Sequence, residues 1–512
     1  MSMLNAMESI PEVSHKIEGT IPYSIRKSWE NCVGNQIVKP LRYYEPRTLV
    51  QLHKILHLAY IKNCRVKAVG SGHSFTNITQ TNDFLIDCKR MNKPIELERR
   101  LLKEYVDVTY LEQVENGITI KNLNEYLDSR NKALINMGSY DAQTIVGAAC
   151  TSTHGSGFGL GPIASSIKSI VLVGEKGQIY RIEPQNGITD PEKYREQYPN
   201  NNLIQDDDCF NAVLISMGCM GVIYSVILEV RSSYYLEEER LGKLNEVDWK
   251  DVKKLICEEV VFSETEPNYL ESNRHFEVYI NPYKVNGKNN CLITRRNIPQ
   301  QIPGHLPLGK RSRKWFLELI AKPLEFIFRW WFIAFPEHAP TLIQIAMNQL
   351  IDKDGYTHKS YYVLNLGAAN FIKGYAAEFA LSLRGDKHIT TIDTILDLAE
   401  KKRQLGKLCH SSPLGVRFVA KSDGLLSMFN REAKCTIEVP ILLDTQAGFE
   451  TLNRIEDELK PLGARPHWGQ WNHLNNERIQ ELYPSFDKWK EIFNRMNQYK
   501  TFHNLFTESC EL

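Results

Sequence analysis

The chain is 512 residues long, with 62 basic and 61 acidic residues and a net charge of +1. That length exceeds the roughly 250–300 residues at which a single core stops growing, so two domains are expected, and the balanced charge excludes a whole-chain attraction to nucleic acid or to an anionic surface. Its eleven cysteines are scattered and form no Cys-x-x-Cys pair, which predicts reduced thiols in an intracellular protein and no metal site.

Residues 1–37 read as an N-terminal extension. The start, MSMLNAMESIPEVSHKIEG, has no apolar stretch of signal-peptide length, so a cytoplasmic protein is expected. No stretch of about 18 uncharged apolar residues suggests a spanning helix. From about residue 40 helices and strands alternate. EPRTLVQLHKILHLAYIKN places Leu49, Leu52, Ile55, Leu56 and Tyr60 on one helical face, and CRVKAVGSG follows as a short buried strand ending in a glycine turn. DFLIDC, YVDVTY and NGITI are predicted as strands, and KNLNEYLDSRNKAL as an amphipathic helix. SIKSIVLVGEKGQIYRI is predicted as a hairpin turning at Gly177, residues 196–208 as a polar loop, and DDDCFNAVLISMGCMGVIYSVILEV as a helix leading through Gly218 and Gly221 into a long strand. A change of texture near residue 240, toward aromatic-rich stretches and a helix in TTIDTILDLAEKKRQLG, marks a second domain.

Two segments carry the chemistry. In AVGSGHSF (68–75) a strand runs into Gly-Ser-Gly, where several backbone N–H groups are exposed in a tight turn and can cradle an anionic oxygen. Taken alone, this is either a structural turn or a phosphate site, since it lacks the third glycine of a dinucleotide fingerprint and the lysine of a P-loop. The second segment, MGSYDAQTIVGAACTSTHGSGFGLG, supplies six more glycines among small hydroxyl residues. The pair predicts a long ligand threaded through the domain, against the alternative of a loop that only lets backbones pack.

These motifs, with AVLISMGCMGVIYSVILEV and the C-terminal ARPHWGQWNHL, resemble the FAD-binding domain of the vanillyl alcohol oxidase and para-cresol methylhydroxylase family. Within it the likeness is to the L-gulonolactone and D-arabinono-lactone oxidase branch, which includes alditol oxidases. The resemblance implies an α+β fold: a two-subdomain FAD-binding domain over 38–235, an α+β cap over 236–430, and a segment 431–512 that completes the cap and returns to the flavin. It makes Ala68, Val69, Gly70, Ser71, Gly72 and Ser74 the loop that holds the FAD pyrophosphate, with His73 the point of covalent attachment. Ser139, Thr144, Gly147, Thr151, Ser152, Thr153 and His154 become further flavin contacts, with Ile223 near the adenine and His467 near the isoalloxazine. Gly138 lies where a small residue lets dioxygen reach the flavin, which implies an oxidase.

Hydride removal from an alcohol needs an aimed C–H bond, a group that takes the hydroxyl proton, and a cation beside the developing charge. In the resembling oxidases these roles fall to a Glu-x-Arg pair and to a lysine after HWG. Here SSPLGVRFV and PHWGQW retain Arg417 but place Gly415 and Gln470 at the other two positions. Glu378 in AAEFAL and Glu438 in CTIEVP are the candidate replacements, against the alternative of a solvated strand face for each. The substrate expected is a small-molecule alcohol (a sugar lactone, a polyol or something less polar), with dioxygen as acceptor. The alternatives are a dehydrogenase serving a quinone or protein acceptor, and a repurposed membrane-associated flavoprotein. KRSRKWFLELIAKPLEFIFRWWFIAFPEHAP (310–340) reads as buried cap core, as the wall of an apolar channel, or as a helix making peripheral membrane contact through 310–335.

Overall fold

The computed structural model describes residues 21–241, 247–259, 274–306, 330–331, 334–350, 355–367, 373–407, 410–445 and 447–511. The helix read from the periodicity is Leu49–Ile61. Thr48 caps it by accepting from the Gln51 N–H, and it buries Leu52, Ile55, Leu56, Leu58 and Ala59. The chain then enters Val66–Val69, an edge strand of a four-stranded sheet in the order Tyr23–Ser24, Arg42–Tyr44, Phe84–Asp87, Val66–Val69. The last three strands are parallel, so the first glycine turn leaves the sheet at a carboxyl end, where ligands of open α/β sheets bind.

A six-stranded sheet follows, in the order Asn202–Gln205, Ile179–Glu183, Ile167–Val173, Val222–Glu229, Leu111–Glu115, Pro94–Ile95. The hairpin expected at Gly177 is present, with Lys176 and Gly177 at positive φ in its turn. Three sequence expectations are corrected here. Neither 105–110 nor 116–120 is a strand. The strand is Leu111–Glu115, and Thr119 caps helix Ile120–Ser129 by accepting from the Asn122 N–H. LEQVE escapes a hydrophobic-pattern reading because its polar side chains are buried with partners: Glu112 meets Lys132 and Tyr126, Gln113 meets Ser225, and Glu115 meets Tyr224. Residues 196–208 are not simply a loop either, since Asn202–Gln205 adds a parallel edge strand beside Ile179–Glu183.

The cap is an eight-stranded sheet in the order Tyr356–Lys359, Tyr235–Leu241, Cys291–Asn297, His275–Ile280, Leu414–Val419, Lys434–Leu442, Gly374–Ser382, Arg465–Pro466, antiparallel throughout. Its strands alternate with period 2. Val278, Val416, Ile437 and Phe379 face a core shared with helices Lys387–Gln404 and Gly448–Leu459. The residues between them, Glu277, Tyr279, Gly415, Arg417, Glu438 and Glu378, project from the other face. After Pro466 the chain returns to the first domain, where Trp468, Phe486, Trp489 and Phe493 enter the core around the six-stranded sheet. Trp489 Nε1 there donates to the carbonyls of Ala212 and Ile215.

Among the described residues no helix is long and apolar enough to cross a membrane. The membrane-contact reading of 310–335 falls largely outside the described residues. Of that stretch Trp330, Trp331, Ala334 and Phe335 are described, and they are exposed.

Candidate active site

One cavity of about 1240 Å³ runs between the two glycine segments and the polar face of the cap sheet. The first segment is shaped by close approach. A Cβ on Gly70 would lie 2.4 Å from Thr144 Oγ1, and Gly72 has φ +75° with Trp29 and Asn31 packed against its Cα, so only glycine fits either place. Ser71 Oγ accepts from the Thr144 N–H at 3.0 Å, which ties this loop to the second segment. Thr144 in turn caps Ile145–Cys150 by accepting from the Gly147 N–H. The result is a rigid cradle of backbone amides.

Of the predicted cofactor contacts, Ala68 through Ser74, Ser139, Thr144, Gly147, Thr151, Thr153, His154, Ile223 and His467 all line the cavity, as does Gly138. Ser152 is corrected. It has φ +65°, is fully buried, and hydrogen-bonds Ser427 at 2.9 Å, so it braces the wall from behind. His73 faces the cavity with its ring edge-on to Tyr140 at 4.6 Å. Burial pushes its pKa down to about 4, so the imidazole is neutral at pH 7 with a lone pair available. Burial likewise lowers His467 to about 4.

The cap side holds the polar cluster. Arg417 Nη1 donates to Glu438 Oε2 at 2.8 Å and lies 3.6 Å from Glu378, with its Nε 3.8 Å from Glu277. Gln470 Nε2 reaches the other oxygen of Glu438 at 3.3 Å. Glu378 also lies 3.2 Å from His154 Nε2. Burial opposes ionisation of Glu378, but His154, then Arg417 and His467, hold its carboxyl well below the usual range. It is therefore a poor proton acceptor and not a solvated strand face. Glu438 is the more open of the two, with its side chain 23% exposed against 4% for Glu378.

Gly415 explains the arrangement. It pairs directly with Glu438 across the sheet, and opposed residues project to the same face. A Cβ on Gly415 would point to Glu438 Oε2 at 3.5 Å. A carboxylate thus stands at the paired position of the next strand, hydrogen-bonded to Arg417.

Sequence reasoning missed Lys67, Glu277 and Tyr279. Lys67 is 2% exposed, lines the cavity, and donates to the Met217 carbonyl at 2.5 Å. The signal was present as a lysine inside the apolar run VKAV. A buried cation beside a glycine cradle fits an elongated anionic cofactor such as FAD, and the neutral His73 suits an attachment point. Glu277 links Arg417 to Arg296, which pairs onward with Glu238, a chain visible only once the strands are in register.

Comparison with known proteins agrees with this geometry. Residues 248–510 match the D-arabinono-1,4-lactone oxidase family, and residues 40–183 match an FAD binding domain. The chain is 24% identical over 481 residues to L-gulono-1,4-lactone dehydrogenase of Mycobacterium tuberculosis, covering 94% of this chain and 98% of that protein. It is 22% identical over 500 residues to L-gulonolactone oxidase of Mus musculus, covering 94% and 97%. In fold it is similar to the crystal structure of cholesterol oxidase from B. sterolicum, with a TM-score of 0.72, 12% identity, and 96% and 98% of the two chains covered.

Proposed function

Because the chain belongs to the D-arabinono-1,4-lactone oxidase family and carries an FAD-binding domain, we propose that it oxidises an alcohol carbon to a carbonyl, with FAD attached through His73 and dioxygen as acceptor. The observation that carries this reading is the Arg417–Glu438–Gln470 cluster on the wall of the cavity that His73 and Gly138 also line. FAD, when bound, supplies the two-electron acceptor for the hydride and passes the electrons to dioxygen, which leaves as hydrogen peroxide.

The residues of this chain do the rest. The amides of Gly70 to Ser74, with Lys67 behind them, would hold the pyrophosphate, and Thr144 fixes that loop. Glu438 takes the hydroxyl proton as the C–H bond breaks. Arg417 stands where negative charge gathers on the substrate oxygen, and Gln470 orients the carboxylate. Glu378 and Glu277 hold Arg417 in place. Gly138 lines the cavity and, having no side chain, would leave dioxygen room there. His73, neutral and facing the cavity, would be the residue to which the cofactor is attached; a C–N bond formed there in place of a C–H and an N–H would release two electrons and two protons, which dioxygen would take up as hydrogen peroxide.

Reducing the purified flavoprotein with dithionite in the absence of oxygen and then admitting air tests the acceptor. Reoxidation within seconds is expected, and flavin that stays reduced for minutes would overturn the oxidase reading in favour of a quinone or protein acceptor. Covalency is read after acid precipitation. The wild-type pellet is expected to be yellow, and that of His73→Ala colourless with its flavin in the supernatant. A colourless wild-type pellet would show attachment to be absent.

A further inference from the structure

Between strand Arg465–Pro466 and helix Asn476–Leu482 the chain crosses from the cap to the first domain through residues 467–475. His467, Gly469 and Gln470 of this segment line the cavity, and Gln470 bonds Glu438. Three supports hold it. On the side of the glycine cradle, the Phe75 N–H donates to the Gly469 carbonyl at 2.8 Å and the Thr76 hydroxyl to the Trp468 carbonyl at 3.2 Å. On the side of strand Gly374–Ser382, the His467 and Trp471 N–H groups donate to the Glu378 and Ala376 carbonyls. The third support is helix Gly448–Leu459, which acts through side chains. Asn453 Oδ1 accepts from Trp471 Nε1 at 2.7 Å and contacts His473 Nε2. Both carboxyl oxygens of Glu456 lie on the single N–H of His473, at 3.1 and 3.0 Å.

Glu456 is 5% exposed, and among the described residues no cation pairs with it. The basic groups whose fields reach it are engaged elsewhere: Lys460 with Asp457, and Arg478 with Glu481 and the Lys460 carbonyl. One amide shared by two oxygens compensates a buried negative charge poorly, whereas the neutral acid satisfies that amide with less charge to desolvate. Burial accordingly pushes the Glu456 carboxyl up to about 7; the His473 N–H, Lys460 and Arg478 pull it the other way, and Asp457 adds to the rise. The His473 ring beside it is held below its ordinary value by burial. A carboxyl raised in this way stabilises the docked segment fully below the ordinary carboxyl range, and that stabilisation is lost as pH rises to about 7.

We propose that segment 467–475 is a pH-sensitive latch on the cavity: neutral Glu456 clasps it through His473 and so seats Gln470 on Glu438, and ionisation of Glu456 loosens it. Glu456 is then a positioning residue, acting on the site through Gln470 and His467. Its bearing on catalysis rests on the proposed function, but the latch itself is read without turnover.

Hydrogen–deuterium exchange of the holoenzyme, followed on peptides spanning 467–475 and expressed as protection relative to the intrinsic rate at each pH, tests the latch. Protection of this segment is expected to fall at least about 10-fold between pH 5 and pH 8, while that of helix Leu49–Ile61 stays level. In Glu456→Gln the amide oxygen still accepts the His473 N–H, so the segment should stay protected at both pH values. The visible absorbance of the bound flavin should shift over the same interval in the wild type and not in Glu456→Gln. Equal protection at both pH values in the wild type would overturn the latch. So would a fall that persists in Glu456→Gln, which would assign the response to another group such as His473. An exchange step with an unchanged flavin spectrum would overturn its link to the site. Absence of flavin from the protein would overturn the proposed function, with the exchange result still deciding the latch.

Discussion

Replacing Glu438 by glutamine is expected to slow reduction of the flavin by its alcohol substrate about 10²- to 10⁴-fold, with flavin content and reoxidation by air unchanged. Glutamine keeps the shape of the side chain and an oxygen for the 2.8 Å bond from Arg417, so the lost quantity is the ability to take a proton. Stopped-flow absorbance under nitrogen reads that step alone, and a wild-type rate would remove Glu438 from the chemistry. The geometry also sets a rescue. Gly415 faces Glu438 across the sheet, and a Cβ there meets nothing closer than 3.5 Å. Gly415→Glu in the Glu438→Gln background is therefore expected to return a carboxylate to the same place and recover at least about ten-fold of the rate. Failure of the double variant to exceed Glu438→Gln would mean that the two strand positions are not interchangeable.

Arg417→Ala is expected to act on both stability and rate. Arg417 is 9% exposed, and its guanidinium stands among Glu438, Glu378 and Glu277. Removing it leaves buried carboxylates uncompensated, at about 3–5 kcal/mol, read as a fall in the urea midpoint of the holoprotein. The pH dependence follows from the depressed carboxyls. Burial opposes ionisation of Glu277, but Arg296 and then Arg417 hold its pKa down at about 2, and Glu378 is also lowered. Stabilisation of this kind is complete above the ordinary carboxyl range and is lost as pH falls through the folded value. The deficit of Arg417→Ala is therefore expected in full at pH 7 and should shrink toward pH 3, whereas a deficit independent of pH would point to lost packing. Adding Glu438→Gln should recover part of the stability and none of the reduction rate.

What was legible in the sequence is local. Helix Leu49–Ile61, the strand after it and the Gly-Ser-Gly turn follow from periodicity, a threonine cap and glycine chemistry acting over a few residues, and so the cofactor could be argued from AVGSGHSF and its partner segment. The short strand Leu111–Glu115 was not legible, because its polar residues are satisfied by Lys132, Tyr126, Ser225 and Tyr224, none of which the strand itself announces.

The substrate side was legible only as a loss. By itself the sequence determined that a flavin-type cradle is present, that Arg417 is kept, and that Gly415 and Gln470 break the expected set. The tertiary structure decided where the remaining polar groups stand: antiparallel register places Glu438 opposite Gly415, within reach of Arg417 and Gln470, and sets Tyr279 on the far side of the same row. Register is a property of the paired strands, and a slip of one residue would turn every one of these side chains to the opposite face. No reading of either strand alone contains it.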